Sequence, residues 1–127
     1  MKIVRFNDLD FIPASHEDPK DPGALKKVLL KRDDMPSGRI QMINWAKIPK
    51  AKKFAPHYHE EMLEVFIIMS GKVKVKIDKE EAILEKGDTV IAKEGQVHTM
   101  TNLSDENVEY LCLGIVTSEG GKTITLK

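Results

Sequence analysis

Between Lys72 and Ile77 the chain runs Lys-Val-Lys-Val-Lys-Ile, charge alternating strictly with an apolar side chain. An extended strand sends successive side chains to opposite faces, so it alone puts all the lysines in water and all the aliphatics in a core. This is the pattern of a half-buried antiparallel strand. Ser70-Gly71 turns into it, and Asp78-Lys79-Glu80 turns out of it toward a strand at Ala82–Leu84. Glu85–Asp88 and Lys93–Gly95 are further turn signals, leading to strands at Thr89–Ala92 and Val97–Asn102. Upstream, strands are expected at Ile3–Phe6, Phe11–Pro13, Leu25–Leu30, Arg39–Ile48 and Glu64–Met69. Leu25–Leu30 mixes lysines with aliphatics and is assigned by context. Downstream, Val108–Val116 is a long apolar strand, broken at Gly120-Gly121 before a short tail, Thr123–Leu126. Turn signals about every eight to twelve residues, with no amphipathic helix, argue for an all-β sandwich or barrel. At 127 residues the chain is one domain, long enough for a real core.

Lysine plus arginine equals aspartate plus glutamate, 20 against 20. That balance removes any broad electrostatic argument for nucleic acid or an anionic membrane as a partner. Lys50, Lys52 and Lys53 read as a solvated turn. The one cysteine, Cys112, excludes an internal disulfide and suits a reducing compartment. The N-terminal residues lack the apolar run of a signal peptide, and nothing approaches membrane-spanning length, so a cytoplasmic location is expected.

The chemistry concentrates in Pro56–Glu64. His57 and His59 are two residues apart, so a strand aims both at one point. Glu64 follows at an odd offset and would face away on an unbroken strand. A bend or tight turn across Glu60–Leu63 is expected to return it to the histidine side. The apolar run Val65–Met69 then holds it, where an unpaired carboxylate would be costly to bury. His98 is the fourth candidate ligand. Three imidazoles and a carboxylate suit one divalent transition ion, with manganese, iron, cobalt, nickel, copper and zinc all acceptable. The motif has no thiolate, so a cysteine-rich structural zinc site is not indicated. The histidines must be neutral to bind, so metal should be released as pH falls below about 6.5.

Strand faces nominate the surroundings. Phe66 and Ile68 share the Glu64 face, Met100 and Asn102 share that of His98, and Met42 or Trp45 is expected in the cavity wall. Each is also an ordinary core residue. Phe66, Met100 and Asn102 are the candidate substrate contacts. Tyr110 is the candidate catalytic group, since a phenol can act as an acid or anchor a substrate. Cys112 reads as a small buried hydrophobe, Glu60 and Glu61 as exposed turn residues, and His16 as a loop residue without a direct role.

These residues resemble the cupin family. Its first motif, G-x5-H-x-H-x4-E-x6-G, is met by His57, His59, Glu64 and Gly71, with Ala51 in the leading glycine position. Its second, G-x5-P-x-G-x2-H-x3-N, is met by Gly87, Gly95, His98 and Asn102, with Lys93 in the proline position. Motif 1 then spans 51–71 and motif 2 spans 87–102. The resemblance implies a double-stranded β-helix, a jelly-roll barrel with the metal inside one end. It also implies that an N-terminal 1–38 extension pairs with the barrel or with a dimer partner, giving a homodimer. A divalent centre with one anionic ligand keeps a net positive charge and favours small anionic or oxygen-chelating ligands in the barrel. The implied activity is that of a metal-dependent dioxygenase, decarboxylase or isomerase. The alternative is a non-catalytic module that binds or senses a sugar or another small molecule.

Overall fold

A computed structural model describes residues 1–117 and 123–126, so the expected break at Gly120-Gly121 lies outside the described residues. The strands are β1 (Ile12–Pro13), β2 (Leu25–Lys31), β3 (Ile40–Ile48), β4 (His57–His59), β5 (Met62–Ser70), β6 (Lys72–Ile77), β7 (Glu80–Glu85), β8 (Thr89–Ala92), β9 (His98–Asn102), β10 (Val108–Val116) and β11 (Thr123–Thr125). They form a six-stranded sheet, β1-β2-β3-β10-β5-β8, and a five-stranded sheet, β11-β4-β9-β6-β7. The pairing is antiparallel throughout, and the two sheets pack as a double-stranded β-helix. No helix among the described residues is long and apolar enough to cross a membrane.

The alternating segment forms β6 and buries Val73 and Val75 while all its lysines stay exposed. Val73 and Val75 stand opposite Asn102 and Met100 of β9. From the other sheet Ile48, Ile68 and Val108 meet them, all essentially sealed from water. Burying a side chain of this size contributes about 1.5–3 kcal/mol each.

Two turn positions explain the motif spacing. Gly71 has φ of 82°, and a Cβ there would meet Val108 Cγ2 at 2.6 Å. Both backbone and space therefore call for glycine. Ala51 also lies in the left-handed region, at φ 63°, where an L side chain costs about 1–2 kcal/mol. That conformation is why glycine suits this position, and this chain tolerates alanine in it.

The N-terminal segment departs from expectation. Ile3–Phe6 is not a strand; the chain makes a 3-10 turn at Phe6–Asp8. Side chains hold this segment, with no sheet ladder. Phe6 packs edge-on against Trp45 at 5.3 Å, and Lys27 Nζ sits 3.7 Å over the Phe6 ring while bonding Phe6 O. Trp45 thus faces away from the barrel interior and donates Nε1–H to Glu109. The alternation of β3 instead turns Met42 inward to line the cavity. β1 and β2 extend the six-stranded sheet of their own chain.

Candidate metal centre

The ladder of β4 and β9 sets His57 directly opposite His98. His59 lies two residues along β4 on the same face. The expected bend falls at Glu60-Glu61, and it also carries the chain from the five-stranded sheet to the other, to which β5 belongs. Glu64 therefore reaches the histidines from across the barrel, because a change of sheet re-aims its odd offset toward the shared interior.

Glu64 Oε1 lies 2.5 Å from His59 Nε2, 3.1 Å from His98 Nε2 and 3.7 Å from His57 Nε2. One ligand atom from each of the four residues lies within 4.8 Å of all the others, and all four residues are buried. His57 Nδ1 lies 2.7 Å from Ala55 O, and His98 Nδ1 lies 2.9 Å from Gln96 O. A carbonyl oxygen can only accept, so each Nδ1 carries the proton and each Nε2 presents a lone pair inward. Those lone pairs confront a carboxylate oxygen, and His57 Nε2 is buried without a hydrogen-bond partner among the described residues. A cation among the four groups removes both the repulsion and the orphaned atom. The donor set fits a divalent transition ion.

Burial opposes ionisation of Glu64, but in the metal-free protein an imidazole of His57, His59 or His98 that carries a proton on Nε2 donates it to the carboxylate, and this holds the carboxyl well below its usual range. Burial pushes His57 below its ordinary 6.5. In the metal-free protein both shifts act in one direction. Stability from neutral His57 is complete above pH 6.5 and is lost as pH falls below it. Stability from ionised Glu64 is complete above 4.5 and is lost as pH falls further. The melting temperature of metal-free protein should therefore drop between pH 7 and pH 4; a rise on acidification would contradict this electrostatic picture.

The surroundings revise three expectations. Cys112 is not an inert hydrophobe. Its thiol donates to Glu64 Oε2 at 2.9 Å, across the paired strands β10 and β5. Burial and then the nearby carboxylate push the thiol pKa well up, so it remains an S–H donor. Cys112→Ala should weaken metal affinity about 10–100-fold and Cys112→Ser should retain most of it, as metal titration would show. Equal affinities in all three proteins would count against the contact.

His16 is also no bystander. Its ring stacks on His57 with centroids 3.9 Å apart and planes inclined by 20°. His16 Nδ1 lies 2.5 Å from Glu17 Oε2, and Glu17 accepts from Gly23 N–H and Ala55 N–H, each at 2.7 Å. Burial opposes ionisation of Glu17, but His16 and those two amides hold its carboxyl below the usual range. Periodicity carries no signal for this pair, which sits in an irregular loop.

The third revision concerns the cavity. It encloses about 580 Å³ beside the histidines, and Phe66, Tyr110 and Cys112 line it with Met42. Tyr110 is sealed, and burial first, then Cys112 and Glu64, raise its pKa well above the ordinary value, so it stays a phenol. Met100 and Asn102 do not line this cavity, contrary to their nomination as substrate contacts. Met100 is fully buried in the core. The Asn102 amide donates to Ile48 O and Glu106 O while its oxygen accepts from Ser104 N–H, so it ties down the turn after β9. Lys93 has an unanticipated use. Its N–H donates to Gln96 Oε1 at 2.9 Å, a bond proline cannot make, and Gln96 O in turn orients His98.

Comparisons with known proteins agree with this fold. A sequence model of the family described as "Cupin domain" matches residues 44–114. An uncharacterized protein of Aquifex aeolicus is 26% identical over 71% of this chain and 80% of its own length. Among solved structures, a predicted oxalate decarboxylase from Thermotoga maritima superposes with a TM-score of 0.79 at 20% identity, covering 91% of this chain and 99% of the other. A sugar phosphate isomerase of Silicibacter pomeroyi gives 0.77 at 16%, covering 99% and 82%. At such identities the structural likeness speaks for the fold alone.

Proposed function

The chain belongs to the cupin family, and on that premise we propose that it is a divalent-metal-dependent enzyme acting on a small anionic or oxygen-chelating organic substrate. The carrying observation is the Nε2 of His57, buried and without a hydrogen-bond partner among the described residues, beside a carboxylate ringed by two further imidazoles. His57, His59, Glu64 and His98 would hold the ion. The ion would supply Lewis-acid or dioxygen-activating chemistry. The chain's own residues do the rest. Phe66 provides an apolar wall, and Tyr110 stays protonated and can donate to a substrate oxygen. His16 presents an oriented imbidazole to the same cavity, fixed by Glu17. Proteins of this fold include the predicted decarboxylase and the isomerase named above, which supports small oxygen-rich substrates as the class. The reading includes a homodimer and a cytoplasmic location; the single, buried cysteine is compatible with a reducing compartment.

Metal analysis of natively purified protein, followed by oxygen uptake and product analysis with candidate chelating acids, tests this. Bound manganese or iron with turnover is expected. Bound zinc or nickel without turnover would favour the binding or sensing module. Failure to take up any of the six candidate metals under titration would defeat the metal-site reading.

A further inference from the structure

Two residues of the cavity wall each carry a buried polar atom with no partner among the described residues. Arg32 Nη1 and Asn44 Oδ1 are buried and make no hydrogen bond among the described residues. Both residues line the cavity that also contains His57, His59 and Glu64. Such orphans are rare in native structures, and each costs about 1–3 kcal/mol. Arg32 opens the 3-10 turn Arg32–Asp34 that follows β2. The carboxylate of Asp34 in that turn is occupied by Lys2 and by the Lys31 amide. Asn44 is 7% exposed and stands on β3 opposite Cys112 of β10, whose thiol reaches Glu64 on β5. With strands about 4.8 Å apart, β3 lies roughly 10 Å from β5. A small molecule can therefore touch both the metal centre and Asn44. Cations predominate in this part of the lining, with Lys26, Lys31 and Arg32 against Asp33.

We infer that Arg32 and Asn44 form a recognition subsite for a small hydroxylated organic anion. Arg32 donates to the anionic oxygens, and Asn44 accepts from a hydroxyl. A guanidinium group is suited to carboxylate or phosphate, and charge-assisted bonds of this kind are the strong ones. The Asn44 oxygen can only accept, so it selects a ligand with a hydroxyl over its deoxy analogue, which would leave it unmatched. The inference rests on the metal-centre reading, because the opposite end of the ligand meets the ion.

Calorimetric titration of manganese-loaded protein with tartrate, succinate, tartramide and glycerol 3-phosphate tests it. Tartrate should bind at least about tenfold more tightly than neutral tartramide and than succinate, which lacks hydroxyls. Whichever of tartrate and glycerol 3-phosphate binds more tightly identifies the anionic group as carboxylate or phosphate. Arg32→Gln should abolish the preference for charge, and Asn44→Leu the preference for hydroxyls. Both variants should keep wild-type metal content. Arg32 Nη1 and Asn44 Oδ1 make no hydrogen bond among the described residues, so the ligand-free melting temperature should hold or rise; a purely structural role would lower it. The subsite is overturned if tartrate binds no more tightly than tartramide, or if the variants retain wild-type preferences. Absence of metal from the wild-type protein would instead strike at the metal centre, so the two failures are distinguishable.

Discussion

His98→Ala leaves the protein folded and nearly free of its divalent ion, with metal content down at least about tenfold. His98 is one of four groups among the described residues positioned to ligate, and its Nδ1–H bond to Gln96 O aims its Nε2 at the other three. The variant also leaves Glu64 with one imidazole fewer to offset its burial. The ladders β6–β9 and β5–β10 do not depend on this side chain, so the direct cost to the fold stays near 1–3 kcal/mol. A larger difference appears when metal is added. An ion that binds only the native state stabilises it by about 2.7 kcal/mol at a hundred times its dissociation constant, and the variant forfeits that gain. Elemental analysis and melting curves with and without added metal measure both effects, and His57→Ala should behave alike. Undiminished metal in both variants would refute the assignment of the site.

Glu17→Ala is expected to be the most damaging change outside the ligand set. The carboxylate joins three things: the His16 ring, the Gly23 amide and the Ala55 amide. Removing it strands two backbone donors at about 1–3 kcal/mol each, for a loss of roughly 2–6 kcal/mol. It also releases the strand entry that aims His57, since Ala55 O is the acceptor fixing that ring's tautomer. Metal affinity should fall a further 10–100-fold, roughly the effect of losing an outer-shell partner. Glu17→Gln keeps an acceptor in place and should lose less on both counts. Urea denaturation and metal titration of the two variants provide the check. Wild-type stability and affinity in Glu17→Ala would show that the loop is dispensable to the centre.

Much of the architecture was legible in local pattern. The alternation of Lys72–Ile77, the apolar run Val108–Val116 and the turn signals between them locate strands, because burial on one face imposes a period of two. The Ile3–Phe6 segment misled because four residues carry too little pattern to specify a strand, and contacts of the Phe6 side chain and carbonyl hold the stretch without a ladder. Asn102 shares the face of His98, yet local carbonyls at the end of β9 claimed its amide.

Sequence alone determined the strand pattern and the ligand spacing, since both depend on residues close along the chain. It brought His57 and His59 to one face through nothing more than the pleat of a strand. Tertiary structure decided what surrounds them. The change of sheet at Glu60-Glu61 delivered Glu64 from across the barrel, the β10–β5 pairing put the Cys112 thiol on its second oxygen, and a folded-back loop stacked His16 on His57. Those contacts join residues distant in sequence, and only the closure of two sheets around a common interior brings them within bonding range.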